Sequence, residues 1–364
     1  MTFNKELDSI KVYEAGKPIE LVVREFGIAP EEVVKLASNE NPLGTSPRVA
    51  ETIRANADKA HLYPDDSMFE LKEALSRRFD VLEQTLIIGA GSDQILEFAS
   101  RAKLHPGAKV LMSRVTFAMY EIYARQQGAT ILRTPDWRHR PEEFLAMMQE
   151  HRPEVVYLCT PNNPTGDAMR REDLFRILDG ADPETLVVVD GAYMEYARAK
   201  DPDYAVDPRE ILEYPNALYL GTFSKAYGLG GMRVGYGIAQ PEIINALLKL
   251  RPPFNITTLS LAAAITACSD DEFLEKSLAL HKEQIGRYET YAKAHGFEYI
   301  ESYTNFITWI FTEDLNSSDL AEALLERGVI VRDLASYGLN ALRITVGTAA
   351  QNDRLFAAMD EILG

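Results

Sequence analysis

The chain has 364 residues, 46% of them hydrophobic and 26% charged, with a formal net charge of −17. Those proportions are those of an ordinary globular protein with material for one large core and a smaller one. The negative charge argues against nucleic acid or an anionic membrane as partner, though not against a small anion held by local arginines.

The start, "MTFNKELDSIKVYEAG", has no apolar stretch of signal-peptide type, and no run is long enough to span a bilayer. The cytoplasm is therefore the expected location. Cys159 and Cys268 lie far apart in apolar surroundings, as buried thiols do, and the six histidines show no ligand spacing. No protein-held metal is expected. Between residues 86 and 239 short apolar runs alternate with helix-like segments. The runs are "LIIGA" (86–90), "KVLMS" (109–113), "TILR" (130–133), "VVYLCT" (155–160), "LVVVDGA" (186–192), "ALYLGTF" (217–223) and "VGYGIA" (234–239). Continuous rather than alternating apolarity marks strands covered on both faces. Segments such as "SDQILEFASRAKL" and "REDLFRILDG" have helical spacing. The pattern predicts an α/β domain whose mostly parallel seven-stranded sheet is sandwiched by helices. The last two runs lack a helical crossover, so one strand there is expected to run antiparallel.

After "RPPFNITTLS" the texture changes. A long helix over 271–295 precedes three strand-like runs, around "TNFITWIF", "GVIVRDL" and "ALRITVG", interleaved with helices. This predicts a smaller α+β domain. The expected division is a large domain over 29–255, and a small one formed by 256–364 with the N-terminal arm 1–28.

Ligands of open α/β sheets bind outside the carboxyl ends of the strands. There the sequence places "GAGSDQ", "RVTFAMY", "PNNPTG", "DGAYMEY" and "TFSKAYGLGGMR". Each has a plain alternative. Ser92 or Asp93 can be a helix cap, although the same turn offers backbone N–H groups and a helix dipole to a phosphate. "PNNPTG" can be a simple turn, yet its prolines also make it rigid enough to aim an amide. Asp190, at the end of an apolar strand, can cap a helix or oppose a cationic ring nitrogen. Phe117 is either a core aromatic or a stacking surface. Lys225 decides among these readings. It sits between hydroxyl and small residues, ahead of a glycine-rich turn and Arg233, and a lysine kept from water near other cations becomes a nucleophile toward carbonyls. A Schiff-base lysine, an acid for a pyridinium, and a phosphate cup from Thr222, Ser224 and Arg233 are the parts needed to hold pyridoxal phosphate.

The ordered series "NENP", "LYPD", "GSDQ", "PNNPTG", "DGAYMEY", "TFSKAYGLGGMRVGY" and "LRITVG" resembles the aspartate-aminotransferase fold family, the fold type I pyridoxal-phosphate enzymes. Within it the chain looks most like the histidinol-phosphate aminotransferases, from about Tyr13 to Gly347. The resemblance implies that Lys225 forms the Schiff base, that Asp190 pairs with the pyridine nitrogen, and that Asn163 and Tyr193 contact the ring hydroxyl. It implies that Phe117 stacks on the ring, and that Ser92, Asp93, Thr222, Ser224 and Arg233 hold the phosphate. Tyr63 would reach the other subunit's cofactor, which makes a homodimer part of the site. Arg332 and Arg343 would meet the carboxylate of glutamate or the phosphate of histidinol phosphate. Tyr13 would stand near the substrate, and Asn39 and Asn41 would help close the site. Two positions depart from the commoner pattern: Gly191 replaces an acidic residue, and Phe117 a tyrosine.

The implied reaction is ping-pong amino transfer, with 2-oxoglutarate as second substrate and Lys225 moving the proton. Aromatic amino-acid aminotransferase and threonine-phosphate decarboxylase are the near alternatives. The rival from another class is an NAD(P)-dependent dehydrogenase, because "GAGSDQ" begins like a dinucleotide fingerprint. It lacks the third glycine, and an arginine, Arg114, follows the next strand where a ribose-binding acid is expected. A binding module without catalysis is the third reading.

Overall fold

The seven apolar runs become the seven strands of one sheet in the computed structural model, which describes residues 2–10, 12 and 19–364. They are β1 (Leu86–Gly89), β2 (Lys109–Met112), β3 (Thr130–Arg133), β4 (Val155–Cys159), β5 (Leu186–Asp190), β6 (Ala217–Thr222) and β7 (Gly235–Ala239). Their spatial order is β1-β7-β6-β5-β4-β2-β3. Only β7 runs against its neighbours, as the missing crossover between the last two runs predicts.

Continuous apolarity has its physical reason in the two layers of core. Val187 and Val189 pack into the cluster on one face of β5. Val188, between them, packs into the cluster on the other. Three helices matter for the site: α1 (Ser92–Lys103), α2 (Ala118–Gln126) and α3 (Met194–Lys200), which follow β1, β2 and β5.

The C-terminal part builds a four-stranded sheet in the order β10-β11-β9-β8. Its strands are β8 (Glu298–Ile300), β9 (Phe306–Ile310), β10 (Arg332–Asp333) and β11 (Ala341–Thr345). The run "GVIVRDL", expected as one strand, is divided. Val329–Ile330 pair in parallel with Val34–Lys35, while Arg332–Asp333 join the four-stranded sheet. Strand β8 was not foreseen from the sequence, because three residues at a sheet edge carry too little pattern. Leu342 and Ile344 face a core with Trp309, Tyr288 and Leu355. Arg343, between them, therefore faces the opposite way, toward the large sheet. Residues 36–41 cross from one sheet to the other, with the Leu36 carbonyl accepting from Thr345 N–H at 2.8 Å. Among the described residues no helix is long and apolar enough to cross a membrane.

One contact locks the start of α1 to the sheet. A Cβ on Gly235 would overlap the backbone of Gly91 and Ser92, and the pairing of Gly235 with Gly89, just before that turn, fixes the approach. Gly235→Ala is expected to cost about 1–3 kcal/mol, visible as a lower urea midpoint with an unchanged slope. A midpoint equal to that of the parent would show that the α1 turn is not packed against β7 in this way.

Candidate active site

Strands β4, β5 and β6 are parallel and end nearly level, with Cys159 beside Asp190 and Asp190 beside Leu220. The turns that leave them therefore open on one rim. The rim encloses a cavity of about 130 Å³ lined by Gly91, Ser92, Asp93, Phe117, Cys159, Asn163, Asp190, Ala192, Tyr193, Thr222, Ser224, Lys225 and Arg233. Twelve of these, all but Cys159, fall in the five turns singled out from sequence, and the cavity brings them together.

Lys225 is part-buried, its Nζ 3.4 Å from the Ser38 carbonyl and 5.7 Å from the centre of the Tyr193 ring. Burial, reinforced by the guanidinium groups of Arg343 and Arg233, brings its amine down to about 8, against the pull of Glu40 and Asp190. Asp190 is 4% exposed. Burial pushes its carboxyl up, although the Tyr120 hydroxyl donates to Oδ2 at 2.7 Å and the Ala192 N–H to Oδ1 at 3.2 Å. An uncompensated acid and a weakened base thus share one cavity. That donor set fits a ligand with a cationic ring and an aldehyde.

At the other end of the cavity Gly91 has φ 76 and precedes α1 without a side-chain cap. The first N–H groups of a helix have no partner inside it, so they are open to an anion. A Cβ at Gly91 would come within 2.6 Å of an Arg233 nitrogen. Glycine therefore lets the guanidinium approach this turn. Arg233 donates to Ser224 Oγ at 3.2 Å, and Thr222 Oγ1 accepts from Ser224 N–H at 3.1 Å. The Asp93 carboxylate turns away: Tyr123 donates to its Oδ2 at 3.0 Å. Its Oδ1 is buried without a hydrogen-bond partner.

Asn163 Oδ1 accepts from Arg343 Nη1 at 2.6 Å, and Arg343 Nη2 donates to the Ala37 carbonyl. Asn163 is itself part of the cavity lining. Arg332 lies directly across from Arg343, as does Thr308 from the other side, so the three share a sheet face. Thr308 donates to the Pro164 carbonyl at 2.8 Å, which places that face against the "PNNPTG" turn. Asn41 is occupied elsewhere. Its amide donates to the Ala226 carbonyl at 2.9 Å and to Ser277 at 2.8 Å, and its oxygen accepts from Leu43 N–H. These bonds tie the chain to the Lys225 loop. Tyr63 is 83% exposed and stacks on Phe254 with ring centres 4.7 Å apart. Tyr13 lies outside the described residues.

Sequence reasoning missed Tyr120. Fully buried, it stacks on Tyr157 at 4.6 Å and holds Asp190, three residues beyond Phe117 on α2. A buried helix tyrosine looks like core; the available signal was its hydroxyl, which needs a partner. Also missed was His139, which bridges Ser113 Oγ at 2.8 Å and Asp167 at 3.2 Å and so braces the turn carrying Asn163. The absence of an acid at 191 has a steric cause. A Cβ there would meet the Tyr219 ring at 2.7 Å. Among the described residues no group of His, Cys, Asp and Glu could hold a metal.

Fold and site together define a pyridoxal-phosphate aminotransferase of fold type I, and a family model for "Aminotransferase class I and II" matches residues 31–359. A histidinol-phosphate aminotransferase of a Sulfurovum species is 64% identical over 363 residues, covering all of both chains. That of Wolinella succinogenes is 57% identical over 364 residues, covering all of this chain and 99% of the other. Among solved structures, histidinol-phosphate aminotransferase from Sinorhizobium meliloti in complex with pyridoxal-5'-phosphate superposes with a TM-score of 0.89 at 27% identity. The match covers 99% of this chain and 97% of that one. The chain belongs to the histidinol-phosphate aminotransferase family.

The lowered basicity of Lys225 carries a stability consequence. Its amine binds a proton more weakly folded, at about 8, than unfolded, near the ordinary 10.5. The penalty is nearly full below pH 8, shrinks as pH rises from 8 toward 10.5, and is gone above that. In the cofactor-free protein, Lys225→Met is therefore expected to raise stability at pH 7 by about 2–3 kcal/mol, with the gain fading above pH 8. A gain independent of pH across that window would contradict the burial described here.

Proposed function

We propose that this chain transfers the amino group of L-histidinol phosphate to 2-oxoglutarate, giving imidazole-acetol phosphate and L-glutamate, with pyridoxal phosphate bound at Lys225. The observation that carries the reading is the weakened amine of Lys225 and the uncompensated carboxyl of Asp190 on one cavity. Bound covalently there, pyridoxal phosphate supplies an electron sink for the pair left behind when the substrate carbon loses its proton. Asp190 would keep the ring nitrogen cationic, and that cation would in turn supply the charge its buried carboxylate lacks. Asn163 and Tyr193 would contact the ring oxygen, with Phe117 against the ring face. Backbone N–H groups of Ser92 and Asp93, with Thr222, Ser224 and Arg233, would hold the phosphate.

Once the substrate's amine displaces it from the cofactor, Lys225 Nζ would be free to take the proton from the substrate's amino-bearing carbon and return it on the other side of the transfer. Arg343 and Arg332 would receive the anionic end of either substrate. Histidinol phosphate carries no carboxylate on its reacting carbon, so the same cations would serve a phosphate in one half-reaction and a carboxylate in the other. Because the amino group would be left on the cofactor between the two substrates, ping-pong kinetics are expected. The large domain, expected over 29–255, would hold the cofactor, and the small one, expected over 256–364 with the arm 1–28, would select the substrate. A homodimer would complete the site, with Tyr63, 83% exposed, reaching across the interface to the other subunit's cofactor. The enzyme would work in the cytoplasm, in histidine biosynthesis.

The test is single-turnover bleaching of the cofactor-loaded protein by histidinol phosphate and by phenylalanine. Histidinol phosphate is expected to react faster by at least about tenfold, a difference of about 1.4 kcal/mol in transition-state binding. Arg343→Lys is expected to slow both histidinol phosphate and glutamate, since a lysine cannot reproduce the planar fork. Faster bleaching by phenylalanine would move the chain to the aromatic aminotransferases.

A further inference from the structure

Tyr193 is placed to contact the ring oxygen, but a hydroxyl rotates, and something must decide where its proton points. We propose that Asn39 is the positioning residue for Tyr193: its amide fixes the direction in which that hydroxyl donates, and Thr345 of the small sheet fixes the amide. The proposal rests on the cofactor reading above and deepens it.

Asn39 is 1% exposed and bonded on every side. Its Nδ2 donates to Tyr193 Oη at 2.9 Å. Its backbone N–H donates to Thr345 Oγ1 at 2.9 Å, and Thr345 Oγ1 donates to Asn39 Oδ1 at 3.1 Å. The Asn39 carbonyl accepts from Asn305 Nδ2 at 2.9 Å. Because Nδ2 occupies a lone pair of the phenol oxygen, the phenol proton must point elsewhere, and Tyr193 is itself part of the cavity lining. Donation into the phenol oxygen also makes that hydroxyl a better donor. The backbone supports a dedicated role. Asn39 has φ 54, a left-handed conformation that asparagine tolerates and most residues do not.

Strand β11 makes this a paired arrangement. Arg343 and Thr345 alternate along it and so share a face. Arg343 reaches Asn163, and Thr345 reaches Tyr193 through Asn39. Both members of the proposed ring-oxygen pair are thus tethered to the strand that carries the substrate-binding arginine. The charged and titratable groups around Tyr193 are Asp190 from its own turn, Cys159 at the end of β4, Arg343 from β11 and Lys225. Phe306 from β9 packs edge-on against its ring at 5.4 Å. Asn39 is the neutral donor among them.

The experiment is a pH titration of the visible absorbance of the cofactor-loaded protein, run beside cofactor affinity by equilibrium dialysis and thermal midpoint. The variants are Asn39→Gly, which keeps the left-handed backbone and deletes the amide, Asn39→Asp, which exchanges donor for acceptor, and Thr345→Val. Weaker donation from Tyr193 leaves more negative charge on the ring oxygen, which then holds the adjacent proton more tightly. The absorbance midpoint is therefore expected to rise, by about half a pH unit or more for both Asn39 variants. It should rise most for Asn39→Asp, whose carboxylate draws the Tyr193 proton to itself, and least for Thr345→Val. Turnover should fall with little change in the KM of the amino donor. Holoprotein variants whose midpoints overlay the parent's, even if less heat-stable, would overturn the inference, since a purely structural role moves only the thermal midpoint. If Asn39→Gly does not fold, the other two decide by the same criterion. A parent protein with no cofactor absorbance would overturn the reading of the site itself, and this inference with it.

Discussion

Lys225 and Asp190 carry opposite formal charges, and the fold keeps them from neutralising each other. Among the described residues no ion pair joins them. The amine turns to the Ser38 carbonyl, the carboxyl to Tyr120 and the Ala192 N–H. Each is held in its less favourable state by burial, the base made weaker and the acid less acidic. Direct pairing would stabilise the free protein and close the cavity. Keeping the two apart leaves a gap whose two ends ask for a carbonyl carbon and a ring cation, so the cost in stability defines the ligand.

The rest of the architecture holds that gap open. Parallel strands of matched register bring three turns to one rim, and the single antiparallel strand, β7, packs through Gly235 against the α1 turn. The small sheet adds its arginine face from the opposite side. It is fastened by residues 36–41, in which Leu36 belongs to the small core, Asn39 touches Tyr193 and Asn41 touches the Lys225 loop. The segment whose Asn39 and Asn41 were expected to help close the site is the clasp between the sheets.

The parts legible in sequence were those that violate a local expectation. A run such as "LVVVD" is too apolar for a one-sided strand and must be covered on both faces, which is what Val187, Val188 and Val189 show. A lysine in a glycine-rich turn and an aspartate closing an apolar strand are equally out of place on a surface. What stayed hidden were residues whose local setting is unremarkable. Tyr120 occupies an ordinary helix position, and its task exists only because β5 ends beside it. The division of "GVIVRDL" depends on a partner strand, Val34–Lys35, near the other end of the chain. Asn41 was singled out only by the resemblance of its motif, and the sequence does not show that its side chain bonds to Ala226, Ser277 and Leu43. Polarity announces that a group needs a partner and leaves open which partner that is.

The most direct measurement is borohydride reduction of the cofactor-loaded protein, followed by peptide mapping. The account predicts one reduced adduct, on the peptide that contains Lys225. Recovery of the label on another lysine, or of an unlabelled Lys225 peptide from fully loaded protein, would contradict it.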